Sequence, residues 1–84
     1  MLEVVEAKYL GDYKIRITFN NKESGEVDLK NELWGPVFKP LKDKKCFSEF
    51  KISKTLGTIV WENDADLAPE FLYEKISNKN SLVV

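Results

Sequence analysis

Between residues 13 and 20 the chain alternates without a fault: Tyr13, Ile15, Ile17 and Phe19 interleave with Lys14, Arg16, Thr18 and Asn20. A period of two in β-branched and aromatic residues marks a strand with one buried face and one face in water. The same pattern continues on both sides. Val5, Ala7 and Tyr9 alternate with Glu6 and Lys8 before it, and Gly25, Val27 and Leu29 with Glu26 and Asp28 after it. Turn formers at Gly11-Asp12 and Asn20-Asn21-Lys22 separate the runs. The sequence therefore predicts a three-stranded antiparallel meander.

Parity then limits the register, because a slip by one residue carries every apolar side chain to water. Opposing Phe19 to Gly25, Ile17 to Val27 and Ile15 to Leu29, across a three-residue loop at 21–23, keeps the apolar set together. Arg16 then faces Asp28, and Thr18 faces Glu26, on the outer side. A two-residue loop would set Ile17 against Glu26 and is rejected.

The middle is less regular. Asn31-Glu32-Leu33-Trp34 reads as one helical turn stopped by Gly35-Pro36, and Pro36 with Pro40 rules out a long element there. Asp43 is placed to cap a short helix over Lys44 to Phe47. Phe50 and Ile52 alternate with Lys51 and Ser53, and the apolar run Thr58 to Trp61 follows, so a second hairpin joined through Lys54-Thr55-Leu56-Gly57 is expected. A last helix begins at Pro69, where the missing N–H costs nothing. Ala68 is a poor cap, so Asp66 is expected to supply the capping oxygen, and Leu72 with Ile76 forms the face that covers the sheet. The fold class that results is α+β: a small antiparallel sheet, made of the meander plus the second hairpin, with a C-terminal helix on one face. One domain spans residues 1–76, and residues 77–84 form a polar tail with an apolar stub, Leu82-Val83-Val84.

Composition narrows function more than it names it. At 84 residues, folding buries only about 60–65% of the extended chain's surface, and such domains often gain stability from a partner. The net charge is −1, with 13 basic and 14 acidic residues, and gives no global field toward nucleic acid or anionic lipid. Histidine is absent, which removes every Ser-His, Cys-His or His-metal device. The lone Cys46 has no partner for an intramolecular disulfide, and Met1-Leu2-Glu3-Val4 lacks the features of a signal peptide. A cytoplasmic location without a membrane span is the expectation.

From Gly35 onward the residues resemble a family of small, mostly bacterial proteins known as a domain of unknown function, number twenty-four forty-two. Its marks are a Gly-Pro-Val-Phe-x-Pro-Leu block at 35–41 and a Gly-Thr-Ile-x-Trp-x-Asn-x-Ala-Asp-x-x-Pro-Glu-x-Leu-Tyr block at 57–73. The likeness covers roughly residues 2–76. The family commonly has Pro and Gly where this chain has Glu62 and Asp64. Asp tolerates left-handed backbone, so the turn is expected to survive with a more acidic lip. The resemblance implies an α+β fold. It also implies, for some members, a pairing with another small protein that resembles a toxin–antitoxin module. It implies no catalytic residues.

Four features compete as sites. Glu62, Asp64, Asp66 and Glu70 would offer oxygen ligands to a hard cation or divide acid and base roles, although acids at a helix start are favoured by its dipole alone. The turn and cap residues Asn63, Asp66 and Pro69 are assigned structural roles. Lys39, Lys42, Lys44 and Lys45 beside Phe38 and Phe47 would hold a phosphate backbone next to a stacking ring, against the plainer reading of a solvated loop face. Cys46 lacks a base and reads as a small hydrophobe. Trp34, before a Gly-Pro break, is the preferred interface residue, with Phe38, Lys42, Lys44 and Lys45 completing the candidate surface. The reading is a non-enzymatic protein-interaction module, without cofactor or metal, that binds a protein partner or its own copy in an antitoxin-like or adaptor role. The rivals are nucleic-acid binding through the lysine loop and a cation-dependent enzyme built on the acidic turn.

Overall fold

The computed structural model describes the backbone of residues 1–81 and the side chains of residues 1–76. The stub Leu82-Val83-Val84 lies outside the described residues. Strands β1 (Val4–Gly11), β2 (Lys14–Phe19) and β3 (Ser24–Asp28) form an antiparallel sheet in the order β1-β2-β3. A short helix α1 (Lys44–Ser48), the hairpin β4 (Lys51–Ser53) and β5 (Thr58–Val60), and helix α2 (Pro69–Ser81) follow. The architecture is thus the expected α+β arrangement. The hairpin, however, is a separate two-stranded sheet. It is tied to the meander by a bond from the Val4 amide to the Gly57 carbonyl (2.9 Å). Helix α2 continues through residues 77–81, five positions that the sequence assigned to the tail. No helix among the described residues is long and apolar enough to cross a membrane.

The β2–β3 register is two residues from the expected one: Ile15 faces Val27, Ile17 faces Gly25, Arg16 faces Glu26 and Thr18 faces Ser24. A shift of two preserves parity, so Ile15, Ile17, Phe19, Val27 and Leu29 are all buried as anticipated. Two features account for the shift, one local and one distant in sequence. The three-residue loop is Asn20-Asn21-Lys22, closed by Phe19 and Glu23 (N to O, 2.8 Å), with Lys22 left-handed at φ 73 and the Asn21 amide oxygen accepting from the Glu23 N–H at 3.0 Å. The second feature is steric. A Cβ built on Gly25 would lie 2.8 Å and 2.9 Å from Cγ2 and Cβ of Ile76, so glycine must stand where α2 crosses β3.

Two further expectations are corrected. Val4, not Val5, reaches the core, because a bulge between Val4 and Glu6 reverses the alternation and leaves Val5 half exposed. Tyr13 is not a strand residue. With Asp12 it forms a two-residue turn in which both are left-handed (φ 50 and 64), the geometry that matches the twist of the flanking strands. A bulky residue there is disfavoured by about 1–2 kcal/mol. Its ring packs edge-on against Phe47 at 5.3 Å, its hydroxyl donates to the Lys42 carbonyl, and its own carbonyl accepts from the Leu29 N–H at 3.0 Å.

The core joins both sheets and both helices. Phe47 and Trp61 pack at 5.6 Å, and Leu72 and Ile76 bring α2 onto the sheet. Phe19 meets Tyr73 edge-on at 5.2 Å, and the Tyr73 hydroxyl donates to Glu23 Oε2 in the β2–β3 loop.

That bond, with burial and the charge of Glu23 adding to it, raises the Tyr73 phenol above its ordinary 10.0. A raised folded-state value stabilises the protonated form, so this contribution is complete below the unfolded value and is lost as pH rises through the folded one. Urea midpoints across about pH 9–11 should therefore fall more steeply for the native chain than for Tyr73→Phe. Gly25→Ala should lower stability by about 1–3 kcal/mol in urea unfolding. Combined with Ile76→Ala, the loss should be smaller than the sum of the two single losses.

Candidate functional site

The first family block starts at an abrupt change of environment. A 3₁₀ turn, Lys30–Glu32, delivers Leu33 to the core, and the next side chain, Trp34, points outward with 72% of its surface exposed. Gly35, left-handed at φ 87, then redirects the chain. Val37 is also exposed. Trp34, Phe38, Leu67, Phe71 and Glu32 together line a groove of about 240 Å³ between this loop and the start of α2. Its rim carries a 2.8 Å ion pair between Lys75 and Glu32, with the Lys75 ammonium 5.3 Å from the Phe71 ring centre. The groove is apolar with a self-neutralised edge.

The lysine loop lies apart from it. Lys39–Lys42 forms a second 3₁₀ turn, and Asp43 caps α1 as expected, accepting from the N–H groups of Lys45 (2.9 Å) and Cys46 (3.3 Å). Lys44 is engaged within the fold: its ammonium lies 3.7 Å from Asp12 and 5.7 Å from the centre of the Tyr13 ring. Lys42 gives its carbonyl to the Tyr13 hydroxyl, and the side chains of Lys42 and Lys45 face solvent. The structure therefore brings Trp34 and Phe38 together but does not place the three lysines on their groove.

The acidic turn is built by backbone and by Asn63. The Trp61 N–H bonds the Ala65 carbonyl, and the Asp64 N–H bonds the Trp61 carbonyl, each at 2.9 Å. Asp64 takes the left-handed conformation at φ 67, as expected for the residue replacing the family's glycine. The Asn63 amide oxygen accepts from the Ala65 N–H (3.2 Å), and its nitrogen donates to the Val37 carbonyl (2.8 Å). The two blocks that carry the family resemblance are thus bonded to each other through this one side chain.

Asp66 differs from expectation. Its carboxylate is exposed and, among the described residues, bonds none of the first N–H groups of α2. Its backbone instead bridges Val60, and the buried Thr58 hydroxyl donates to the Leu67 carbonyl at 2.5 Å. The helix entry is fixed by that strand contact, by Pro69 as its first residue, and by the Leu72 N–H to Ala68 carbonyl bond (3.2 Å). Glu62, Asp64, Asp66 and Glu70 are all exposed, and among the described residues no three acidic or thiol groups converge as a metal site would require. Cys46 is exposed, not buried. Leu67 as a groove wall escaped the sequence reading, because a lone leucine ahead of a helix start carries no signal of a surface groove.

A family described as a protein of unknown function (DUF2442) matches residues 4–78, and the chain belongs to that family. No curated protein and no solved structure matches the chain.

The bonds of Asn63 and the isolation of Asp66 predict opposite outcomes for alanine. Asn63→Ala should cost about 1–2 kcal/mol, because it frees the Val37 carbonyl and opens the turn. Asp66→Ala should stay within about 0.5 kcal/mol of the native chain in the same urea titration.

Proposed function

We propose that this family member is a non-catalytic protein-interaction module that presents its Trp34 face to a partner protein. The exposure of Trp34 beside Val37, over a groove walled by Phe38, Leu67 and Phe71, carries the reading. Tryptophan is highly buried on average, and an exposed one over an apolar groove has the form of an interface anchor. The free domain gains little from keeping it in water. A protein that covered the groove would remove that apolar surface at no cost in buried charge, since the rim pair of Lys75 and Glu32 is already formed. An antitoxin-like role toward a second small protein is the form of this reading that the family resemblance implies for some members, and an adaptor role is its alternative.

A tagged native chain and a Trp34→Ala variant, expressed in the native host, test it. The native chain should retain one protein, or a second copy of itself, in stoichiometric amount. The variant should lose that partner by about thirtyfold in affinity, the effect of removing a central tryptophan anchor. Its melting temperature should move by less than about 4 °C, because an exposed residue holds little of the fold. A strictly monomeric native chain that retains nothing, or equal retention by the variant, refutes the proposal.

A further inference from the structure

A second cleft lies over the edge of Trp61, and it shares no lining residue with the Trp34 groove. It has two lobes of about 360 and 420 Å³ that meet along Glu49, Trp61 and Glu62. Pro40, Leu41 and Cys46 wall the first lobe, and Phe50 and Val60 the second. The floor is apolar because Trp61 is held in place from below, its indole N–H donating to the Phe47 carbonyl at 2.8 Å.

The two carboxylates at the junction have no counterpart in the fold. Both ion pairs formed among the described residues, Lys44 with Asp12 and Lys75 with Glu32, lie elsewhere, and neither Glu49 nor Glu62 accepts a side-chain hydrogen bond there. Glu49 also stands at the carbonyl end of α1, where a negative charge meets the unfavourable end of the helix dipole. Lys51 is the single base among the residues lining the two lobes, so the cleft remains net negative. Both acids are exposed beside one apolar floor, and among the described residues no base pairs with either, so an incoming cation meets both.

We propose that this cleft docks an extended segment of a partner protein that carries an arginine between apolar residues. The argument is charge complementarity combined with an apolar floor. An arginine stem lies along apolar surface while its head remains polar. Its guanidinium is more weakly hydrated than an ammonium and presents five donors in a planar fork, which suits two carboxylates. The apolar neighbours fill the lobes on either side. This site is independent of the Trp34 face, and either can fail without the other.

The two tryptophans make the test specific, because each indole N–H reports one site in a ¹⁵N-labelled chain. The probes are the peptide acetyl-Leu-Arg-Leu-amide, its Leu-Gln-Leu counterpart and spermidine. The arginine peptide should shift the Trp61 indole and the Glu49 and Glu62 amides saturably, leaving the Trp34 indole in place. The glutamine peptide should bind about tenfold more weakly, the effect of one charge-assisted hydrogen bond. The double variant Glu49→Gln, Glu62→Gln should lose the preference for arginine while its melting temperature is unchanged or raised. Saturating arginine peptide should also slow alkylation of Cys46 by iodoacetamide. No saturable shift, equal binding of the glutamine peptide or of spermidine, shifts centred on Trp34, or an unaltered alkylation rate would each overturn the proposal.

Discussion

The domain is organised around one side chain, Phe47, on the shorter of the two α-helices. It is fully buried, and three rings meet it: Tyr9 from β1 at 5.8 Å, Tyr13 from the first turn at 5.3 Å, and Trp61 after β5 at 5.6 Å. Its carbonyl accepts the Trp61 indole N–H, so the packing contact and the buried hydrogen bond join the same two residues. Edge-on aromatic pairs add roughly 0.5–1.5 kcal/mol each to the apolar area they bury. Without this residue the irregular middle of the chain would have no common point at which to meet the meander and the second hairpin. The Asp43 cap matters for the same reason, since α1 has only five residues and would not hold its shape alone.

Strand identity, the hairpins and the closing helix were legible in the sequence because their signals are periodic. Ile15, Ile17 and Phe19 needed only their spacing to be assigned inward, and the second hairpin needed only two apolar runs and a glycine. Register was less legible, because parity excludes odd shifts and is silent about even ones. What selects Gly25 as the partner of Ile17 is Ile76, far along the chain, and no local pattern announces that contact. Val5 and Tyr13 misled for a related reason. A bulge and a left-handed turn both interrupt alternation without changing the residue types on either side. The cap assigned to Asp66 failed because the strand bridge to Val60 turns its carboxylate to solvent. At the candidate surfaces, Trp34 was legible as the preferred interface residue from its place before Gly35-Pro36, although a core role for its ring competed. Leu67 as a wall of the groove beside it was not legible, since it belongs to no periodic run.

The surface assigns its charges unevenly. Lys44 and Lys75, which the sequence leaves free, are each bound by an acid and an aromatic face. The exposed Lys44 pair contributes little to stability, and the half-buried Lys75 pair more; together they neutralise the neighbourhood of Tyr13 and of the Trp34 groove. Among the described residues, no base pairs with Glu49 or Glu62. A near-zero net charge therefore hides one neutral apolar face and one acidic cleft. Both are carried on loops that the sheet and α2 hold in position.

The hydrogen bond between Tyr73 and Glu23 joins residues fifty positions apart, whereas the meander pairs only near neighbours. Chain entropy makes the nearby pairings quick to find and the distant one slow. The ribbon of residues 4–28 is thus the natural first structure in folding, and arrival of the final helix its last step. Until then Phe19 and Ile17 are uncovered, and a nascent chain halted before residue 69 would expose the oily side of its sheet to chaperones and to other unfinished chains.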